Sequence, residues 1–281
     1  MRRRVEGARG DGGTVELTPD RILLTDRVAI VTGAARGIGE ATAVALARFG
    51  ADVAVCDRDA EGLDATVGRI EATGRRACSE VFDVRDADAV DGFVAAVAAE
   101  FGPVDILVNN VGGGFHASFA DVSPRGEAAL VAENFGTVTN AVRAVTGHLA
   151  PGASIVNVTS VEAHHAAPGF GVYAAMKAAV EQFTRTLALE LSHRAIRVNA
   201  VAPDMIPTPG DAELADASGA MSADHHPTPL RRFGSAEECA AVIVFLASDL
   251  ASFVTGTSVP VDGGTTAGGP WKVALDGTFR M

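Results

Sequence analysis

Thr32-Gly33-Ala34-Ala35-Arg36-Gly37-Ile38-Gly39 stands directly behind the apolar run Val28-Ala29-Ile30-Val31. A short apolar run bounded by a glycine-rich turn has the form of a buried parallel strand. After the turn, Ile38, Ala41, Val44, Ala45 and Phe49 recur at helical spacing over 38–49, and Gly50 ends them. A strand, a glycine turn and a helix start together suit an anion, because the backbone N–H groups at a helix N-terminus favour a group such as pyrophosphate. Glycine is required where a Cβ would block close approach of the backbone to phosphate. The spacing is G-x-x-x-G-x-G, not the G-x-G-x-x-G of many dinucleotide turns. Gly33, Arg36, Gly37, Ile38 and Gly39 are therefore candidate cofactor contacts.

Working outward, the same alternation continues. Strand-like runs lie at 53–56, 77–81, 106–108, 154–158, 196–201 and 258–261, with helical patterns at 60–73, 86–101, 125–149, 172–193 and 235–248. Strict β-α alternation demands a parallel sheet with right-handed crossovers and helices on both faces. The expected class is α/β: a Rossmann-type, doubly wound parallel sheet of about seven strands in a three-layer α/β/α sandwich. No linker or internal repeat divides the chain, so 21–267 reads as one domain. Residues 1–20 read as a flexible N-terminal extension and 268–281 as a C-terminal tail.

Bulk composition narrows the function classes. The 281 residues carry a net charge of −12, and an acidic surface repels phosphate backbones, so nucleic acid is not an expected partner. No run is long and apolar enough for a bilayer, which argues against a membrane role. Cys56, Cys78 and Cys239 are scattered and odd in number, which fits a reducing, cytoplasmic setting. The pairs His164-His165 and His225-His226 lack the carboxylate or HExxH context of a metal site, and none is expected.

The second strand ends at Cys56-Asp57-Arg58. A carboxylate about 20 residues beyond the glycines can accept hydrogen bonds from ribose hydroxyls and would repel a 2′-phosphate. Asp57 therefore favours NAD, while Arg36 and Arg58 near the same corner leave NADP open.

Taken together, these residues resemble the single-domain short-chain dehydrogenases/reductases. Thr32–Gly39 is similar to their TGxxxGxG motif, Asp83-Val84 to the pair that contacts adenine, and Asn109-Asn110-Val111-Gly112 to NNAG. Asn134 stands where the family has the asparagine of its active-site helix, although Gly136 comes one residue early. Ser160, Tyr173 and Lys177 fit Ser…Tyr-x-x-x-Lys, Arg197–Pro203 resembles the strand leading to the nicotinamide, and Val261–Gly264 resembles the closing VDGG. The resemblance spans about 24–267.

The resemblance implies hydride exchange between a nicotinamide dinucleotide and a secondary alcohol or ketone. Tyr173 and Lys177, four apart, share a helix face. Tyr173 would be the general acid/base, helped by the Lys177 ammonium, which would also bind the nicotinamide ribose. Ser160 would donate a hydrogen bond to the substrate oxygen, and Asn134 would hold a water joining Lys177 to solvent. Further implied cofactor contacts are Asp83, Val84, Asn110, Val111, Gly112, Pro203, Ile206 and Thr208. The substrate would lie against 112–116, 161–170 and 203–228, with 208–228 as a lid. Asp204 there replaces the family's usual glycine. A homotetramer is implied, with the 125–149 and 172–193 helices on one two-fold axis; the tail beyond Gly264 is longer than the family minimum, and its Trp271 and Phe279 suit docking on a neighbour or covering a pocket, the alternative being a loosely packed extension. An NADPH-dependent 3-oxoacyl-carrier-protein reductase is the rival enzyme. A non-catalytic dinucleotide sensor is the rival of another class.

Overall fold

The computed structural model describes residues 16–209 and 226–280. Seven strands form one sheet: β1 Val28–Thr32, β2 Asp52–Asp57, β3 Ala77–Val81, β4 Val104–Asn109, β5 Leu149–Val158, β6 Arg197–Pro203 and β7 Ser258–Val261. Their order is β3-β2-β1-β4-β5-β6-β7, and every neighbouring pair is parallel. The helices between them are α1 Gly37–Arg48, α2 Ala60–Glu71, α3 Ala87–Phe101, α4 Pro124–Val131, α5 Thr137–Thr146, α6 Gly171–Glu190 and α7 Ala236–Ala247.

Period-two alternation divides the core. On β2, Val53 and Val55 join Leu46, Leu63, Ile243 and Leu246 on the face of α1, α2 and α7. Ala54 and Cys56 join Phe93, Val142, Val180 and Leu187 on the face of α3, α5 and α6. With both faces covered, β1 is buried along its whole length, which is why Val28–Val31 reads as an unbroken apolar run. Strand order reverses between β1 and β4, so a crevice opens at the carboxyl ends of those two strands.

Arg197 and Asn199, in the stretch resembling the nicotinamide strand, serve the frame. The buried Arg197 guanidinium donates to the Leu246 and Ser248 carbonyls at the end of α7, at 2.6 and 3.1 Å. Burial pushes its pKa down to about 10. Asn199 donates to the Val254 carbonyl and accepts from the Thr257 N–H ahead of β7.

Two expectations need correction. The helix expected over 125–149 is α4, a π-helical turn at Ala132–Gly136, then α5. The strand expected at Ser154 begins at Leu149, with a register shift between its Val104 and Ile106 partners where residues 150–153 stand opposite Asp105 alone. Val138, Val142, Val145 and Leu149 continue one helical spacing, so apolar periodicity carries the pattern past the real helix end. At the C-terminus, one helical turn, Thr265–Gly268, leads into a small antiparallel hairpin, β8 Lys272–Val273 with β9 Phe279–Arg280. Val273 is buried, and its carbonyl accepts the His226 N–H at 3.0 Å. Of the N-terminal stretch, 1–15 fall outside the described residues. Pro19–Ile22 is a 3-10 turn from which Arg21 reaches the Asp249 carbonyl at 3.1 Å.

Candidate active site

The β1–α1 turn is fixed by contacts that exclude side chains. Gly33 lies at φ +66°, in the left-handed region. A Cβ on Gly39 would overlap the Gly33 carbonyl oxygen and stand 2.5 Å from Asn110 Nδ2. Asn110 clamps the same turn: its side chain donates to the Gly33 carbonyl at 2.9 Å and its N–H to Thr32 Oγ1 at 3.1 Å. No side chain caps α1, so the N–H groups of its first turn are left for a ligand. Thr208 packs over Gly37 at the mouth of the turn.

Asp57 ends β2 beside this turn. Its Oδ2 accepts the Ala35 N–H at 3.0 Å, and its Oδ1 accepts those of Arg58 and Asp59 at 2.7 and 3.1 Å. The carboxylate is thereby oriented before any ligand arrives. Asp83, expected against adenine, is forked by Arg85, whose Nε lies 2.9 and 3.0 Å from its two oxygens. That guanidinium holds the Asp83 carboxyl below the usual carboxylate range. Arg85 was not anticipated from the sequence, because a lone arginine two residues past a strand end carries no motif.

Tyr173 and Lys177 project from the first turns of α6, and Ser160 follows β5. Lys177 is 3% exposed, and its Nζ donates to the Val158 carbonyl at 3.1 Å, 5.5 Å from the centre of the Tyr173 ring. Burial pushes its pKa down to about 8, against the opposing pull of the Glu133 carboxylate. A Cβ on Gly112 would stand 2.5 Å from Lys177 Nζ, so only glycine lets the chain after β4 pass over the amine. Ser160 Oγ accepts the Glu162 N–H at 3.2 Å.

Asn134 occupies the π-helical turn, fully buried. Its Nδ2 donates to the carbonyls of Gly113 (2.8 Å) and Leu130 (3.0 Å), and its Oδ1 accepts the Gly113 N–H at 3.1 Å. The side chain thus pins the Gly112–Gly113 backbone above Lys177, whereas the resemblance assigns it a water. The widened turn, one residue longer per hydrogen bond than an α-helix, aims Asn134 at that backbone.

These groups face one cavity of about 750 Å³. The glycine turn, Asp57, Asp83, Asn110, Val111, Pro203, Ile206 and Thr208 line it together with Ser160, Tyr173 and Lys177; Gly39 lies just behind the turn. Phe115 and Phe170 wall the end near Tyr173, and Phe170 stands edge-on between the His116 and Tyr173 rings at 5.2 and 6.4 Å. Glu162 and Asp204 line the same end. Burial raises the pKa of each, and each raises further beside another carboxylate: Asp204 for Glu162, Asp262 for Asp204.

The sequence also gave no warning of Glu181. It lies one turn beyond Lys177 on α6, 4% exposed. It accepts from Ser258 Oγ at 2.7 Å and Thr159 Oγ1 at 3.3 Å, and pairs with His164 Nε2 at 3.1 Å. His164 is thus tied to a carboxylate that fastens the Ser160 loop to α6. Among the described residues no group of three or more His, Cys, Asp or Glu is placed to hold a metal ion; His225 and most of 208–228 lie outside them.

A nicotinamide dinucleotide fits these residues. A Cβ would fill the cradle at Gly39, the first turn of α1 is uncapped, and an oriented carboxylate stands at the next strand end. The comparisons with known proteins agree. Residues 33–266 match the family model described as "Enoyl-(Acyl carrier protein) reductase". The chain is 38% identical over 250 residues to gluconate 5-dehydrogenase of Gluconobacter oxydans, covering 88% of this chain and 98% of that one. It is 39% identical over 243 residues to the 3-oxoacyl-[acyl-carrier-protein] reductase of Thermotoga maritima, covering 86% and 98%. Among solved structures it superposes on carveol dehydrogenase from Mycobacterium avium in complex with NAD with a TM-score of 0.78, 30% identity and coverage of 87% and 99%. With the glycine turn, the sheet order and these relatives in agreement, the chain belongs to the short-chain dehydrogenase/reductase family of NAD(P)-dependent oxidoreductases acting on CH–OH groups.

Proposed function

We propose that this protein interconverts a secondary alcohol and a ketone with NAD(H), using Tyr173 as general acid/base. The observation that carries the reading is the buried Lys177 amine beside the Tyr173 ring, in the same cavity as Ser160 and the Asp57 corner. Bound there, a nicotinamide dinucleotide would supply the hydride acceptor or donor. Gly33, Arg36, Gly37, Ile38 and Gly39 would hold its pyrophosphate, and Asp57 and Arg58 its adenosine ribose. Asp83 and Val84 would flank the adenine, and Asn110, Val111, Gly112, Pro203, Ile206 and Thr208 would flank the rest.

In alcohol oxidation the Tyr173 oxygen takes the hydroxyl proton, and the nearby Lys177 ammonium stabilises the negative charge on the ring oxygen. In ketone reduction the same oxygen returns the proton. Ser160 Oγ donates to the substrate oxygen, where charge accumulates in the transition state. Asn134 contributes by holding Gly112–Gly113 in place over Lys177.

A secondary alcohol deuterated at its carbinol carbon tests the reaction class. The deuterium should be recovered in the reduced dinucleotide. Its loss to solvent would defeat the proposal.

Arg36 and Arg58 line the same corner as Asp57, and this favours a second reading, NADPH with an acyl-thioester ketone. The ratio of kcat/KM for NADH and NADPH separates the two. We also assign the chain a homotetrameric state, checked by light scattering, and a cytoplasmic setting that suits its three free thiols.

A further inference from the structure

The charges that line the cavity are segregated. Arg36, Arg58 and Arg85 stand at the dinucleotide end, while Glu162 and Asp204 stand near Tyr173 and Ser160. Asp204 lies in the wall beside the Thr265 hydroxyl and the Met205 N–H, both of which favour its charged form. Glu162 differs: its carboxylate has neither a hydrogen bond nor an ion pair among the described residues, although it is half-buried and faces a second acid. Nearby cations do not relieve it. Lys177 is directed at the Val158 carbonyl beside the Tyr173 ring, Arg232 is forked onto Glu238, and His165 is the basic group that acts on Asp204. The stretch 210–225 contains no lysine or arginine. A half-buried carboxylate without protein donors among the described residues is costly, and it offers its lone pairs to whatever molecule enters the cavity.

We propose that Glu162 and Asp204 set the substrate class: an alcohol or ketone whose far end donates hydrogen bonds or carries positive charge, a polyol or an amino alcohol, with carboxylate-bearing alcohols rejected. Phe115 and Phe170 pack the apolar part of such a molecule, and the two acids receive its polar end. Rejection of anions comes from the same charges, since an unpaired acid disfavours the wrong ligand as strongly as it favours the right one. Gluconate, the anion for which one relative is named, is accordingly disfavoured here.

The inference rests on the proposed function of the same cavity, and one set of probes separates the two. The purified full chain is assayed with NAD and cyclohexanol, and with the same ring bearing an amino group, a second hydroxyl or a carboxylate at the opposite carbon. For the amino alcohol and the diol, kcat/KM is expected to exceed that of the carboxylate by at least about tenfold, a small share of the Coulomb energy between unit charges near a protein surface. In Glu162→Gln and Asp204→Asn, both near-isosteric, the ratio should fall toward unity, with thermal unfolding checking the fold. A preference for the carboxylate, or a ratio unchanged in both variants, overturns the proposal. So does a loss confined to affinity for oxidised over reduced dinucleotide, which would show the acids serving the nicotinamide charge instead. Turnover of none of the four probes, or turnover that survives Tyr173→Phe, would sink the reading of the site itself.

Discussion

The two ends of the cavity are built from different materials. At the dinucleotide end the work falls to backbone: an uncapped helix start, a turn that admits no Cβ, and a carboxylate oriented by three N–H groups. At the substrate end side chains decide: a half-buried acid without a partner among the described residues, a second acid facing it, and two phenyl rings. Backbone geometry tolerates little change and serves one ligand class, whereas side chains can be exchanged without disturbing the sheet. One end therefore announces a cofactor, while the other is free to vary with substrate.

The comparison breaks most sharply at Gly39. An added methyl would overlap the Gly33 oxygen, so Gly39→Ala should weaken dinucleotide binding by at least ~100-fold, about two steps of 1.4 kcal/mol, as read by fluorescence titration. An ordinary affinity in that variant would show that backbone exclusion is not what shapes this end. Next comes Asp57→Ala, which removes a charged acceptor. Its NAD efficiency relative to NADP should drop by about 10–100-fold, in line with charge-assisted hydrogen bonds of roughly 1.5–3 kcal/mol.

Lys177 lies between the two ends, and its burial has a cost whose sign can be worked out. Its folded pKa of about 8 lies below its ordinary value of 10.5, so between those values the unfolded chain binds more protons and stability rises with pH. Below about 8 the folded state carries the full penalty, roughly 3 kcal/mol for a shift of this size. Lys177→Met should therefore melt higher than the parent at neutral pH, and the gap should close as pH rises through that window. A gap independent of pH would mean that packing, not charge, separates the two. The smallest effect belongs to His164, whose side chain is 29% exposed. His164→Gln should change stability by less than about 1 kcal/mol in denaturant titration, as for most partly exposed ion pairs.

How much of this was legible in the sequence follows the same division. Thr32–Gly39 was readable because a requirement for missing side chains is written directly as glycine. Tyr173 and Lys177 were readable because a four-residue interval on a helix guarantees adjacency. The π-helical turn at Asn134 was hidden, because one extra residue per hydrogen bond leaves the apolar pattern nearly intact. The early start of β5 was hidden because Leu149 continues the spacing of α5. Glu162 and Asp204 belong to loops brought together only by the sheet, and Glu181 looks like any acid on a helix until Thr159, His164 and Ser258 converge on it.

Whether the phenol moves the proton is decided by Tyr173→Phe, with dinucleotide affinity and turnover measured on a single preparation. It should bind NAD as the parent does and lose at least ~100-fold in kcat, the low end of general acid–base contributions. Turnover within a few-fold of the parent would contradict the account, because the proton would then move without the phenol.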